Sequence, residues 1–320
     1  MKKFTAAKYK LFTKVIIAFA FCMALFSNKA EASHAMGMDL TYTCLGGNTY
    51  QFTLNFYRDC SGVGAPTFLS INVSSLSCGS TNSVPLTQTG PATDISPLCA
   101  SALSTCNGGT NPGAEHYEYQ GTFTLPSNCP DWVFSYSICC RNPTITNLVN
   151  PSGQNLYIES KLNNSAGQCN SSPAFTTLPV PYICKDQLIN YSLSAFDSDG
   201  DSIVYTLIDA MGSAGVPLTY VFPYSATYPI TTDSGWVVFD SLTGNLNLTP
   251  DTTQTCIVTV LVEEYRDSVL IGSVMRDIQV LVLDCPSNQQ PEINSPLITN
   301  FSGGGVLVDS NSIEVCVGIP

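Results

Sequence analysis

Basic residues are scarce in this 320-residue chain, which carries 12 Lys and Arg against 24 Asp and Glu. Half of the basic residues lie within the first 32 positions, so the rest of the chain is more acidic than the formal net charge of −12 indicates. A chain of this charge repels the phosphate backbones of DNA and RNA. The composition therefore argues against nucleic-acid binding.

Histidine is almost absent, with only His34 and His116 in the sequence. Zinc sites use paired cysteine or histidine motifs such as C-x-x-C, and the chain has no such pair. A serine hydrolase needs a base beside its nucleophile, and neither histidine lies near a G-x-S-x-G motif. Two carboxylates alone suffice for a glycosidase, so a secreted hydrolase stays open as the less favoured alternative. We expect a protein that is not an enzyme.

Long hydrophobic runs are also absent after the N-terminal segment. The apolar run at residues 15–26 is shorter than the about 20 residues that a membrane-spanning helix needs. Lysines precede it, and the small-x-small sequence Ala-Glu-Ala follows at residues 30–32. This pattern predicts a signal peptide over residues 1–32 that is cleaved, with no membrane span afterwards. We therefore expect an exported protein, secreted or held at the cell surface.

Cysteine, by contrast, is abundant, with 14 residues, of which only Cys22 lies in the predicted signal peptide. Such a density in an exported chain predicts disulfide bonds, because thiols oxidise outside the cytoplasm. Spacing alone does not fix the connectivity. We expect Cys99 to pair with Cys106 and Cys184 with Cys285.

Two further expectations concern cysteines with unusual positions. Cys139 and Cys140 are adjacent, and neighbours in a strand point to opposite faces, so we expect them to bond different partners. The number of cysteines after the predicted cleavage site is odd. We expect Cys316, four residues from the end of the sequence, to remain unpaired.

Strand patterns dominate the sequence from residue 38 onward, and no helical period appears. In residues 49–60, TYQFTLNFYRDC, aromatic residues and leucine alternate with polar ones. Residues 131–140 repeat this alternation, and residues 255–267 form a valine-rich run. Stretches rich in Gly, Ser and Pro separate these segments and are typical of turns and loops. The pattern predicts an all-β protein of tandem β-sandwich domains stabilised by disulfides.

Proline-rich segments divide the predicted strands into domains. Three prolines in residues 171–184 favour an extended linker, and a second such segment begins at residue 286. We predict a Cys-rich β domain at 33–178 and a β-sandwich at 179–286. The sequence SIEVCVGIP at 312–320 resembles PVPYICKDQ at 179–187, so we expect 287–320 to hold a linker and the first strand of an incomplete third module.

The second predicted domain carries a family resemblance. Its FDSDGDSIVYTL at 196–207, followed by FDSLTGNLNLTP at 239–250 and a valine-rich strand, is similar to the cadherin-like and Ig-like modules of bacterial surface proteins, including the dystroglycan type. This resemblance implies a β-sandwich fold. It implies little about activity, since one fold hosts many functions.

The chain as a whole resembles a narrower group. The segments ASHAMGMDLTYTCLGGNTYQFTLNFYRDCSG at 32–62, CCRNPTITNL at 139–148 and EEYRDSVLIGSVMRDIQV at 263–280 are similar to the N-terminal region of large exported Bacteroidota surface proteins. These are described as PKD-domain or gliding-motility-associated proteins and use type IX secretion. The resemblance implies a location at the cell surface.

Three aspartates within five positions, Asp197, Asp199 and Asp201, raise the question of a calcium site. Hard oxygen ligands on a turn can be completed by acids at a neighbouring strand end, and Glu264 and Asp267 are available. Three close carboxylates without a cation repel one another. Calcium bound by these five residues is therefore one interpretation, and calcium is the only cofactor we consider.

The alternative is an acidic turn without a metal. Aspartate side chains in such a turn accept hydrogen bonds from nearby backbone N–H groups, and Gly200 would supply a positive φ. An EF-hand is excluded, because the glycine would stand at position 4 of the loop and Ile208 at position 12. Both the metal-free turn and a calcium site at the sandwich edge stay open.

These observations favour a non-catalytic secreted or cell-surface protein that acts in adhesion or as a structural spacer in a larger assembly. Its expected partners are other surface proteins or extracellular glycans. A carbohydrate-binding protein is the main alternative, with Trp132 and Trp236 as candidate stacking platforms. Most aromatic residues are more simply explained as core.

Overall fold

A computed structural model describes residues 35–98 and 102–285, together with the backbone of residues 306–309 and 312–314. The described residues form strands and loops, with two single-turn 3₁₀ helices at Thr105–Asn107 and Pro151–Gly153. The predicted all-β class is therefore confirmed. No helix in this part of the chain has the length and apolar composition needed to cross a membrane. The predicted signal peptide lies outside the described residues.

The strands follow one another closely along the chain. The first group is β1 Ala35–Gly46, β2 Thr49–Asp59, β3 Phe68–Ser75, β4 Ser80–Gln88, β5 Thr93–Asp94, β6 Ala114–Thr124, β7 Trp132–Cys139, β8 Asn155–Leu162 and β9 Ala174–Phe175. The second group is β10 Tyr182–Cys184, β11 Ile189–Ser192, β12 Ala195–Phe196, β13 Ser202–Leu207, β14 Met211–Ser213, β15 Val216–Pro217, β16 Val238–Phe239, β17 Asn245–Leu248, β18 Gln254–Arg266 and β19 Val269–Leu283. A hairpin of β20 Val306–Asp309 and β21 Ser312–Glu314 completes the described strands.

Seven strands pair in the continuous order β1-β2-β6-β4-β3-β7-β8, and β1 and β8 both pair with β19. These strands therefore close around one core, and we call this group the first sandwich. The pairing of β4 with β6, at Thr87–Gln120 and Gln88–Tyr119, joins the β1-β2-β6 strands to β3, β7 and β8. Strand β2 illustrates why these strands enclose a core: its alternating residues Tyr50, Phe52, Leu54 and Phe56 are all buried in it. Phe134 of β7 packs edge-on against Phe52, with ring centroids 4.7 Å apart. The alternation predicted for residues 49–60 is thus confirmed.

The second sandwich has β13-β18-β19 as one layer and β11-β17-β16 as the other. Its core includes the alternating residues Cys256, Val258, Val260 and Val262 of β18. The intervening Ile257 is also buried, against a separate small cluster on the other face. A strand that is buried on both faces has a nearly continuous run of apolar residues in its sequence. This explains why apolar residues, valine above all, fill much of β18 instead of alternating with polar residues.

Strand β19 belongs to both sandwiches. One of its edges pairs with β18 along residues 269–282. The other edge pairs successively with β8 at residues 272–274, with β1 at 276–278 and with β10 at 281–283. Strands from both sides of residue 178 therefore share one hydrogen-bonded sheet. The division into domains at 178 and 286 stays a prediction.

The chain enters the first sandwich and leaves β19 at the same end of these strands. β1 starts at Ala35 and runs antiparallel to β19, with Gly37 opposite Ile278. The turns at residues 47–48, 76–79 and 267–268 close hairpins at the opposite end. The turns at 76–79 and 267–268 lie at the same level, because one row of paired residues beside them crosses β3, β7, β8 and β19. This row is Ser75, Trp132, Leu162 and Gly272. We call this end the distal end.

Disulfide bonds stabilise the described part of the chain, as predicted. The expected Cys184–Cys285 bond is present, with Cα atoms 5.6 Å apart. The expectation that Cys106 bonds Cys99 is wrong. Cys106 bonds Cys60, which lies at the start of the loop after β2. Cys99 lies outside the described residues. Two further bonds hold the distal end: Cys44–Cys169 and Cys78–Cys129.

The expectation that Cys139 and Cys140 bond different partners is wrong. The two bond each other, and the physical reason is that β7 ends at Cys139, so the alternation of a strand does not extend to Cys140. Among the described residues the free thiol is the buried Cys256. The expectation for Cys316 falls outside the described residues.

Two buried ion pairs fix β19 within the protein. Arg276 bonds Asp39, which lies opposite it on β1, with Nε to Oδ2 at 2.9 Å. The next residue, Asp277, accepts a bidentate pair of bonds from Arg141 at 2.9 and 2.7 Å. All four side chains are almost wholly buried. Paired burial of this kind satisfies charges that would otherwise be very costly to remove from water.

Candidate functional site

The acidic segment at residues 197–201 forms a turn that leads into β13 at the distal end, where Ser202 pairs with Tyr265. Oδ1 of Asp197 accepts hydrogen bonds from the backbone N–H groups of Asp199 (3.0 Å) and Asp201 (2.9 Å). Gly200 has a φ of 85°, a conformation that glycine adopts without a steric penalty. The local hydrogen bonding expected of an acidic turn is therefore present.

Glu264 approaches this turn from β18, and its side chain is wholly buried. The side-chain amide of Asn170 donates to its Oε1 at 2.6 Å, and the Tyr42 hydroxyl lies 3.2 Å from the same oxygen. Across the strand pair, Glu264 stands opposite Gly272 of β19. A Cβ at Gly272 would overlap Oε1 and would lie 2.6 Å from the Tyr42 oxygen. The glycine thus leaves the space that the carboxylate occupies.

Three carboxylates meet at this point. Asp197, Asp201 and Glu264 each present an oxygen within 4.8 Å of the others. Two oxygens in the cluster, Oδ2 of Asp197 and Oε2 of Glu264, are buried and have no hydrogen-bond partner. Buried polar atoms are almost always hydrogen-bonded, so these two oxygens are an exception that needs an explanation.

Arg266 is the cation beside the cluster. Its guanidinium donates to both oxygens of Asp201, at 2.8 and 2.5 Å, and to Oδ1 of Asn170 at 2.7 Å. Burial, together with the neighbouring Asp197 carboxylate, raises the pKa of Glu264 to about 9. One arginine thus faces three carboxylates, and the environment disfavours the charged form of the most buried one.

The structure brings together three of the five residues predicted as calcium ligands. The other two are not part of this three-carboxylate cluster. Asp199 is in the same turn, but its Oδ2 accepts from the backbone N–H of Ser171 at 2.6 Å. Asp267 occupies the two-residue turn between β18 and β19, with a φ of 51°. The Asp267 carboxylate is not among the three that cluster.

Sequence reasoning missed Tyr42, Asn170 and Gly272. Tyr42 and Asn170 are 222 and 94 residues from Glu264, so no local motif could link them. Gly272 offered a signal, since an isolated glycine within a strand pattern often marks a close approach of another group.

A cleft of about 400 Å³ also opens at the distal end. Its lining includes a row of residues that pair across β3, β7, β8 and β19: Ser74, Val133, Lys161 and Ser273. Two apolar side chains from opposite hairpins line it as well. Leu76 from the β3–β4 turn is 94% exposed, and Leu270 from the β18–β19 hairpin is 45% exposed.

Charged groups of both signs accompany these apolar residues in the cleft. Asp131 accepts hydrogen bonds from the hydroxyls of Ser75 and Ser77, both at 2.5 Å. These bonds lower the pKa of Asp131 and keep it charged. Lys161 forms a 2.9 Å ion pair with Glu159, and its side chain is half exposed. The cleft therefore offers apolar contacts together with one cation and one anion.

The two tryptophans have different environments. Trp132 is wholly buried in the first core, so its proposed use as a glycan platform is wrong. Trp236 is 74% exposed and retains a face that a ligand can reach.

His116, the histidine considered for catalysis, is part of the β2–β6 pair. Its Nε2 lies 2.7 Å from Oδ1 of Asn55, and its ring stacks on Tyr57. Burial lowers its pKa. The neighbouring groups bind Asp39: the Asn55 amide and the Tyr57 hydroxyl both donate to it. His116 therefore borders the buried Asp39–Arg276 pair.

No family model matches the chain, and no curated protein matches it. Among solved structures, the tandem immunoglobulin domains of titin are similar at 11% sequence identity, covering 78% of this chain and 98% of that one. The TM-score is 0.19, which is too low to support a statement about fold or function.

Proposed function

We propose that the chain is a non-catalytic, secreted or cell-surface adhesion protein that contacts its partner through the cleft at the distal end. The observation that carries this proposal is the position of the cleft. It lies between hairpin turns at the end of the sandwiches opposite to Ala35 and Leu283, where the polypeptide enters β1 and leaves β19. With residues 1–32 removed as a signal peptide, attachment is through the segment that follows β19, and a protein attached there presents the cleft outward.

The same geometry favours adhesion over a role as a spacer in series. A spacer transmits force between attachments at its two ends. Here β1 and β19 are antiparallel neighbours, with Gly37 opposite Ile278, so the start of β1 and the end of β19 lie at the same end of these strands. The distal end therefore carries neither the start of β1 nor the end of β19, which suits a module that projects from one attachment better than a link in a series.

Three features support an extracellular location. Five disulfides join described cysteines, and such bonds persist in oxidising compartments. The sequence begins with a predicted signal peptide. The resemblance to exported Bacteroidota surface proteins implies the same location. Recognition surfaces built on loops over a rigid β framework are common in extracellular domains.

The proposal is tested with fluorescent beads that carry the purified chain with its disulfides formed. Retention of the beads is measured on surfaces coated with collagen, fibronectin or mucin, and a polymer surface without protein is the blank. Aggregation of the beads with one another reports self-adhesion. We expect specific retention on a protein surface or on other beads. We expect Leu76→Asp or Leu270→Asp to abolish it, because either change puts a charge against the apolar side of the cleft.

Phe222→Asp is the matched control. Phe222 is 93% exposed but does not line the cleft, so this variant gains the same charge at a different place. Equal retention of the wild-type chain and both cleft variants, or equal losses for all three variants, would contradict a role for the cleft.

Glycan binding is the second candidate, and the exposed ring of Trp236 favours it. Aromatic faces of this kind contribute amphipathic contact area. Saturable retention of the beads on a glycan array, lost in Trp236→Ala and kept in Leu76→Asp, would support glycan binding in place of the cleft.

A further inference from the structure

We propose that Asp197, Asp201 and Glu264 bind one Ca²⁺ ion, which fastens the 197–201 turn to β18. This site goes beyond the proposed adhesion, and its occupancy can be measured without any partner.

Two buried carboxylate oxygens of the cluster lack hydrogen-bond partners. Oδ2 of Asp197 and Oε2 of Glu264 are buried without hydrogen-bond donors, although Glu264 has no exposed surface and Asp197 is 6% exposed. A carboxylate oxygen removed from water without a partner is strongly disfavoured. A cation between the two side chains would satisfy both oxygens at once.

The spacing of the carboxylate oxygens fits a single ion. Ca²⁺ binds oxygen ligands at about 2.3–2.6 Å, so two of its ligands are separated by at most about 5 Å. The three carboxylate oxygens lie within 4.8 Å of one another. One atom from each side chain can therefore contact a single ion, and water can complete the coordination.

The charge of the cluster also favours a bound cation. Arg266 compensates Asp201 through two hydrogen bonds, but it donates no bond to Asp197 or Glu264 among its described contacts. A carboxylate has about four acceptor positions, so Asp201 retains capacity for an ion while bound to Arg266. A divalent cation would offset the negative charge of the cluster that the single Arg266 guanidinium does not neutralise.

The surroundings of the cluster are built to hold Glu264 in place. Asn170 donates to its other oxygen, and Gly272 leaves room for the carboxylate. Asn170 and Tyr42 precede the predicted linker, whereas the 197–201 turn follows it. Ser171 also donates its backbone N–H to Asp199. An ion at this position would therefore strengthen the junction between the two sandwiches.

The experiment uses the purified full chain with its disulfides formed, treated with EDTA and then dialysed against metal-free buffer. Isothermal titration with CaCl₂ should give one saturable site per chain. The melting temperature should rise with calcium concentration, as for any ligand that binds only the folded state. Glu264→Gln should lose saturable binding and the calcium-dependent rise.

Glu263→Gln and Asp267→Asn are the matched controls and should bind like the wild-type chain. Glu263 is the neighbour of Glu264 on the same strand, and Asp267 is an acid of the adjacent turn; neither is in the cluster. Folding of Glu264→Gln is checked by circular dichroism in EDTA. If that variant does not fold, Asp197→Asn takes its place, because asparagine keeps the oxygen that accepts from the turn.

Three results would overturn the assignment. The first is a wild-type chain without saturable binding at millimolar calcium, which would leave a proton shared by Asp197 and Glu264 as the explanation of the cluster. The second is equal calcium binding by the wild-type chain and a folded variant of the cluster. The third is tighter binding of Mg²⁺ than of Ca²⁺ in the same titration.

Discussion

Gly272 lies opposite Glu264 on the β18–β19 pair and lacks a side chain at the place where the Glu264 carboxylate lies. Glycine weakens a strand interior because it costs more backbone entropy and packs no side chain. Its presence in β19 is therefore explained by the buried carboxylate and the adjacent Tyr42 hydroxyl.

Replacing Gly272 with alanine should destabilise the protein. The added methyl group would overlap the carboxylate of Glu264, and overpacking of this kind costs about 1–3 kcal/mol. Urea unfolding monitored by circular dichroism measures the change. Gly64→Ala is the control, because nothing lies within 4 Å of a Cβ there, and it should be neutral or slightly stabilising. Equal effects of the two substitutions would show that the space beside Gly272 is not restricted.

The sequence predicted the elements whose signal is local. β2 and β18 were recognised because side chains of a strand alternate between two faces, and the structure buries the predicted faces in the two cores. The acidic turn was recognised for a similar reason, since aspartates and a glycine within five residues are enough to specify it.

Contacts between distant parts of the chain could not be predicted in this way. Asp267 is a predicted calcium ligand because it is an acid at a neighbouring strand end, and the structure places it in the hairpin turn between β18 and β19 with a positive φ. Asn170 was overlooked because it lies 94 residues from Glu264. The pairing of β1 and β8 with one edge of β19 brings these segments together, and no pattern in the sequence specifies that pairing.

The buried pair of Asp39 and Arg276 should be essential for stability. Asp39→Ala would leave the Arg276 guanidinium without its carboxylate in a site where both side chains are at most 2% exposed. Breaking a buried ion pair costs about 3–5 kcal/mol. Lys161→Ala is the control, because an ion pair at the surface contributes about 0–1 kcal/mol and the Lys161 side chain is 56% exposed.

The free energy of unfolding of both variants is measured with urea at one pH. A further test removes both charges, with Asp39→Leu and Arg276→Met together, and should recover part of the loss, since apolar replacements of buried pairs are often tolerated. Similar costs for Asp39→Ala and Lys161→Ala would refute the importance of the buried pair.

His116 should reduce stability in mild acid. Burial lowers its pKa below the usual 6.5, and Arg276 lowers it further, although Asp39 and Glu118 oppose the shift. In the range between the lowered pKa and 6.5, the unfolded chain binds a proton that the folded chain does not, so the free energy of unfolding falls as the pH falls.

Urea titrations at about pH 7.5 and about pH 5.5 bracket the ordinary pKa of histidine and test this prediction. His116→Gln removes the titrating group and keeps a polar atom near Asn55, so this variant should lose less stability than the wild-type chain over the same interval. Carboxylates contribute equally to both proteins and cancel in the comparison. An identical loss in the two proteins would mean that His116 protonates alike when folded and unfolded.

The thiol of Cys256 should be inert in the native protein and reactive after unfolding. The residue is wholly buried in the core of the second sandwich, and burial raises the pKa of its thiol to about 12. Alkylation requires the thiolate, which is therefore scarce near neutral pH, and the reagent also has no access to a buried sulfur. Iodoacetamide labelling, followed by mass spectrometry of the peptide that contains Cys256, should detect the label only after unfolding in urea without a reductant. The Cys256→Ser variant identifies that peptide, and rapid labelling of Cys256 in the native protein would show that β18 opens to solvent on the timescale of the reaction.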